Sequence, residues 1–194
     1  MTRHRHGAGL TLLIAAAVVA HVPASSQLEV NPHGAAVKAF RDRVDDYLAL
    51  HKEVADKLPP LDDTRDAKKL SDRERALGLA IQQARTSAKQ GDVFGDLAPA
   101  ITATVRRNWR GRPAEDRRAL LAELFEEQPN REPRVKVNML YPTTLPLATF
   151  PASLLRELPP LPEGIEYRFF GRHLILRDTN ANLVVDVLPD VIPR

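Results

Sequence analysis

The chain has no cysteine. That excludes disulfides, thiolate metal sites and cysteine nucleophiles. Its six histidines are scattered and form no zinc-ligand spacing. No G-x-S-x-G, S-x-x-K, H-E-x-x-H, P-loop or G-x-G-x-x-G motif occurs in the sequence. Beyond residue 20 there is no long apolar run, so no later segment offers the ~20 apolar residues of a transmembrane helix. Charge of one sign is also missing. The 28 Lys+Arg and 25 Asp+Glu give +3, and setting aside Arg3 and Arg5 leaves a net +1. So small an excess gives no argument for a nucleic-acid partner.

What is present begins with the layout of a secretory signal peptide. Arg3, His4, Arg5 and His6 form a cationic start, residues 10–20 (LTLLIAAAVVA) an apolar stretch, and Val22-Pro23-Ala24 an acceptable cleavage site. The expectation is a signal over residues 1–24 and a periplasmic or secreted protein. Without cysteine the signal cannot be of the lipoprotein type. The rest of the chain, about 170 residues, suits one domain or two small ones.

Residues 25–35 read as a flexible leader. Over residues 36–58, Val37, Phe40, Val44, Tyr47, His51, Val54 and Leu58 recur at helical spacing, and Pro59-Pro60 ends the run. Ser71 to Glu74 fits a capping box (S-x-x-E). It opens a second helix with Leu77, Ile81, Ala84 and Ala88 inward and Gly91 as its stop. A third helix starts near Asp96, with Ile101, Val105 and Trp109 inward, and ends at Gly111. Pro113 then leads a fourth over residues 114–127. The breaker cluster at residues 128–133 (QPNREP) is the main boundary.

Beyond it, residues 135–141 alternate and are β-prone, residues 143–150 form a proline-interrupted loop, and residues 151–158 make one or two helical turns. Three strand-like runs follow at Ile165–Phe170, His173–Asp178 and Leu183–Leu188. The expected fold is therefore α+β: a helical region of about four helices (residues 36–128), then a β-rich region (residues 134–194) with an antiparallel meander of three or four strands.

Strand parity sharpens this. Gly171-Arg172 as a type II′ turn pairs Phe170 with His173 and Tyr167 with Leu176. Keeping Leu174 and Leu176 on the core face pairs them with Val187 and Val185, places Asp186 opposite Ile175 on the outer face, and makes residues 178–182 the connection. That connection reads D-x-N-x-N, the opening of a calcium loop. Yet Leu183 and Pro189 stand where such a loop needs glycine and a bidentate carboxylate, so a turn is the preferred reading.

Few residues suggest a site. His51 and Glu53 point to different helix faces and cannot share an ion, and His51 falls on the core stripe. His173 reads as solvated. The acid pairs Asp45-Asp46, Asp62-Asp63 and Glu126-Glu127 read as solvated charge. Arg106, Arg107, Trp109, Arg110 and Arg112 are a candidate patch for an anionic ligand. They also fit a helix C-terminus with Trp109 turned to the core, which is the preferred reading.

The stretch LPPLPEGIEYRFFGRHLILRDTNANLVVDVLPDVIP, with AKQGDVF at residues 88–94, resembles a family of exported bacterial proteins with no assigned function. Tyr167, Phe169, Gly171, Asp178 and the run LVVDV at residues 183–187 also resemble the C-terminal hairpins of small periplasmic proteins of the nickel/cobalt-homeostasis regulator type. The metal role does not carry over, because this chain has no histidine-rich segment. The resulting expectation is a non-enzymatic envelope protein that acts as a binding or structural module, without cofactor, whose partner is an envelope protein or an anionic envelope component. An envelope-acting hydrolase with a site between the helical and β regions is the second reading. A metal-responsive periplasmic protein is the third.

Overall fold

The computed structural model describes residues 31–125, 134–143 and 148–194. Residues 1–24, expected as a signal, residues 25–30 of the expected leader, Glu126-Glu127, the breaker cluster at residues 128–133 and part of the residue 143–150 loop lie outside the described residues.

The architecture is α+β. Helices α1 (Pro32–Asp56), α2 (Ala67–Ala84), α3 (Ala98–Gly111) and α4 (Ala114–Leu124) precede a single turn, α5 (Ala152–Leu155). Strands β1 (Ile165–Phe170), β2 (His173–Asp178) and β3 (Leu183–Leu188) then form an antiparallel sheet in that order.

Helix α1 begins four residues earlier than its apolar pattern. Asn31 caps it, its side-chain oxygen accepting the His33 N–H at 3.0 Å, and Pro32 has a φ already set for the first turn. Residues 32–35 therefore belong to the helix and not to a leader. Helix α2 starts at Ala67 instead of near Ser71. Asp66 accepts the N–H groups of Lys68 and Lys69, and the Ser71 hydroxyl donates inside the helix to the Lys68 carbonyl. An aspartate cap one turn upstream outcompetes the serine box. The helix also ends at Ala84, so Ala88 and Gly91 lie in the turn beyond it. Arg73 donates to the Ala55 carbonyl, while the Arg85 guanidinium lies 4.9 Å from the Tyr47 ring centre. The two helices thus run in opposite directions.

Helix α2 crosses close to the β2–β3 turn at Gly78. A Cβ there would fall 2.6 Å from the Ala181 carbonyl oxygen and would also strike the Leu140 side chain. Gly78→Ala would gain about 1 kcal/mol of helix propensity. The clash with main chain outweighs it, so a net loss of about 1–3 kcal/mol is expected. A higher urea midpoint for this variant would show that the approach is not so close.

All three strands match the sequence boundaries, and the β1–β2 register is as parity requires, from Phe170–His173 to Glu166–Arg177. The β2–β3 register is not. Leu174 faces Leu188, Ile175 faces Val187 and Leu176 faces Asp186, while Arg177 faces Val184 and Asp178 faces Leu183. Val185 is an extra residue in a β-bulge, so it and Asp186 both turn toward the helices. Asp186, expected on the outer face, is fully buried. The connection shortens to residues 179–182.

The other sheet face is not solvated either. Phe170, Ile175, Val184 and Val187 are buried with Tyr141 under Val135, Val137 and Met139. This covering segment is the stretch expected as a strand, but it makes only one bridge, Leu140 to Leu183. Asn138, at φ 65°, turns it away from extended geometry. Its backbone still closes the outer edge of β3. The Asn138 N–H donates to the Val184 carbonyl, the Val184 N–H to the Met139 carbonyl and the Tyr141 N–H to the Asn182 carbonyl, at 2.7–2.8 Å. Among the described residues, no helix is long and apolar enough to cross a membrane.

Candidate functional site

Two buried carboxylates tie the sheet to the helices. Asp178, at the end of β2, is fully buried. One of its oxygens takes the backbone N–H groups of Asn180 and Ala181 at 2.9 and 3.0 Å. The other takes the Tyr47 hydroxyl at 2.7 Å and His51 Nδ1 at 2.6 Å, both from α1. An ionised carboxylate only accepts, so His51 carries its proton on Nδ1 toward Asp178. Burial pushes the Asp178 carboxyl up, but hydrogen bonds from His51, Tyr47 and the Ala181 N–H together outweigh it and hold the group below its usual range. Burial, reinforced by the charge of Asp178, raises the Tyr47 phenol. Four protein donors surround this carboxylate. The D-x-N-x-N loop is thus a hydrogen-bonded turn whose aspartate points inward. Asn182 is committed as well, accepting from Arg177 at 2.7 Å and donating to the Tyr141 carbonyl at 3.2 Å.

Asp186, on the bulge, accepts the N–H groups of Gly91, Val93 and Phe94 at 2.7–2.9 Å. These donors belong to the GDVF turn, whose Gly91 sits at φ 87°. The carbonyl of Val185 is freed from regular pairing and receives Arg85 at 3.2 Å. Burial lowers the Arg85 guanidinium, an effect offset in part by Tyr47, Asp186 and Asp92. His51 is thus the partly buried side chain expected, and its partner, Asp178, is a residue that the sequence places at the start of the hairpin connection. Among the described cavities, none is lined by Tyr47, His51, Asp178 or Asp186.

The largest of these cavities is elsewhere. A groove of about 750 Å³ runs along β1, walled by Phe150, Leu155, Leu158, Leu161, Ile165 and Tyr167. That volume lies within the ~300–1,000 Å³ of small-ligand and short-peptide seats. Phe150 stacks on Phe169 at 5.0 Å and on Tyr167 at 6.2 Å, which fixes one wall. The Tyr167 hydroxyl donates to the Pro159 carbonyl, fixing the other, and burial keeps that phenol protonated. Leu155 stays 54% exposed at the mouth, although it is a large apolar side chain. The rim is ionic. Arg168 bonds Glu166 at 2.9 Å and the Ala148 carbonyl at 3.1 Å, and Arg177 bonds the same glutamate at 2.8 Å. Burial raises the Glu166 carboxyl, but the two arginines prevail and hold it low. Sequence reasoning missed this groove. The usable signal was the alternation of Pro159, Pro160 and Pro162 with Leu158 and Leu161, which holds apolar side chains on an extended chain beside a strand.

The arginine cluster does not converge on one point. Arg107 pairs with Glu157 at 2.8 Å, Arg112 bonds Asn108 at 3.1 Å and Ser153 at 3.2 Å, and Arg106 donates to the Asp190 carbonyl. Trp109 is half-buried against the core and Arg110 is exposed. Three of the four arginines thus tie α3 to α5 and the chain end. His173, expected in solvent, is half-buried, and its Nδ1 accepts the Asp190 N–H at 3.1 Å. Asp45, Asp46, Asp62 and Asp63 are exposed. Among the described residues, no group of three or more His, Asp or Glu side chains could hold a metal ion. Comparison with protein-family profiles, curated proteins and solved structures returns no match, so fold and site rest on the chain's own geometry.

Proposed function

We propose that this chain is a non-enzymatic binding module of the bacterial envelope, periplasmic or secreted after signal cleavage near Ala24, with its ligand seat in the groove along β1. The observation that carries the reading is an apolar groove with an ionic rim and the exposed Leu155 at its mouth. Leu155 adds apolar surface beside a trough walled by Phe150, Leu158 and Leu161, and contiguous apolar surface of that kind marks interaction sites. The net positive rim, Arg156 and Arg168 against Glu166, favours a ligand with an acidic group, in keeping with an envelope protein or an anionic envelope component as partner.

The hydrolase reading needs acid, base and nucleophile meeting in a cleft. Asp178 and His51 do meet between the helical and β parts, but both Asp178 oxygens are occupied by protein donors. Two of the serines that could serve are engaged elsewhere, Ser71 with the Lys68 carbonyl and Ser153 with Asn108 and Arg112. The metal-responsive reading gains no support from the Asp178 loop, whose oxygens are similarly engaged.

The test is a titration of the purified chain with Nile red. Leu155→Glu places a charge in the groove mouth at an exposed position. It is expected to weaken dye binding about tenfold or more, with the unfolding free energy changing by less than about 0.5 kcal/mol. Equal dye binding by both chains would remove the groove as the seat.

A further inference from the structure

The groove along β1 is an open trough with an apolar floor. Leu158, Ile165 and Tyr167 are buried beneath it, Phe150 and Leu161 are half-buried in its walls, and Leu155, Arg156 and Pro160 are exposed at its mouth. Little in the trough can serve a polar ligand. The Tyr167 hydroxyl already donates to the Pro159 carbonyl, and Pro160 has no N–H. A peptide laid there would find few partners for its own N–H and C=O groups, whereas an alkyl chain needs none. The charge sits at the rim. Both oxygens of Glu166 are taken, one by Arg168 at 2.9 Å and one by Arg177 at 2.8 Å. The Arg156 guanidinium, next to Leu155 in the chain, has no ion pair among the described residues.

We infer that the groove holds a fatty carboxylate, its single alkyl tail lying along the trough and its carboxylate on Arg156 at the mouth. The inference rests on the groove being the ligand seat. The tail follows from the floor, since each methylene that leaves water against apolar side chains adds to binding. The lining residues Ile165 to Arg168 run about 13 Å along β1, a length that an extended chain of about ten carbons spans. The head follows from Arg156, whose guanidinium presents a fork of donors matched to a carboxylate. Glu166 limits the charge of that head. It lines the same groove and repels added negative charge, so a singly charged carboxylate fits better than a doubly charged phosphate.

The experiment is displacement of Nile red from the purified chain by decanoate, with titration calorimetry as a parallel readout. Decanoate is expected to bind and to displace the dye. Butanoate keeps the head and loses most of the tail, and is expected to bind on the order of a hundredfold or more weakly. Decanol and decyltrimethylammonium keep the tail and lose the acidic head, and each is expected to bind about tenfold or more weakly. Arg156→Gln is expected to shrink the preference for decanoate over decanol to about twofold or less, and Leu155→Glu to weaken decanoate and decanol alike. Equal binding of butanoate overturns the tail. Equal binding of decyltrimethylammonium, or a preference over decanol that Arg156→Gln leaves unchanged, overturns the head. Tighter binding of decyl phosphate overturns the carboxylate. If Nile red binds and decanoate does not, this inference falls while the groove reading stands; if neither binds, both fall. Flotation of the chain with phosphatidylglycerol vesicles, lost in Leu155→Glu and seen without decanoate binding, would make a membrane surface the occupant and would also overturn the inference.

Discussion

Replacing Asp186 by alanine is expected to lower the unfolding free energy by about 3–5 kcal/mol, enough to unfold a large part of the population of an ordinary domain. The carboxylate is fully buried and accepts the N–H groups of Gly91, Val93 and Phe94, the last two in buried residues. The loss is that of several donors left unpaired, two of them desolvated, together with one of the groups that offset the burial of Arg85. Asp186→Asn is expected to recover only part, because its amide nitrogen would face donors. Urea denaturation of the two variants measures this. A loss below about 1 kcal/mol for the alanine variant would mean that the 91–94 turn is held by other means.

The second large effect is at Asp178. Removing its side chain leaves the Tyr47 hydroxyl, the His51 ring N–H and the N–H groups of Asn180 and Ala181 without their acceptor, and a loss of about 3 kcal/mol or more is expected for Asp178→Ala. The same site has a pH signature. The folded-state pKa of Asp178 lies below its unfolded value of about 3.9, so its contribution is complete above that value and is lost as pH falls through the folded pKa. Glu166 is shifted in the same direction, so the informative quantity is a difference. Wild-type minus Asp178→Asn stability should shrink as pH falls below about pH 4. Asp178→Asn is milder than the alanine variant, since its remaining oxygen still serves Asn180 and Ala181. A difference that stays flat down to pH 3 would show that the carboxylate carries no depressed pKa.

These two aspartates also mark where the sequence could be read and where it could not. The strand boundaries and the β1–β2 register were legible because a glycine-led two-residue turn fixes phase, and Tyr167, Phe169, Leu174 and Leu176 share one face without conflict. The β2–β3 register was not, because the parity argument assumed that one face was solvated. The LVVDVL run has almost no polar alternation, which is the pattern of a strand covered on both sides. With both faces apolar, inserting Val185 as a bulge does not expose any side chain, so nothing in the alternation resists it. A lone aspartate in such a run signals a buried acceptor awaiting backbone donors, and the glycine-containing GDVF turn was there to supply them. The covering segment, residues 135–141, was misread as a strand for a related reason. Its alternation is real, but it serves to pack Val135, Val137 and Met139 onto the sheet while Asn138 breaks the extended run.

The helices were legible in number and face, less so at their starts, where Asn31 and Asp66 act one turn before the apolar pattern begins. The groove was invisible to a search for chemical motifs because it contains none. It is assembled from residues 149–168, a stretch whose apolar side chains read simply as packing.

Nile red titration of the purified chain beside Leu155→Glu tests the central claim most directly. If the groove along β1 is the ligand seat, the chain binds the dye and Leu155→Glu binds it about tenfold or more weakly. If the two chains bind the dye equally, or neither binds it, the groove is not the ligand seat.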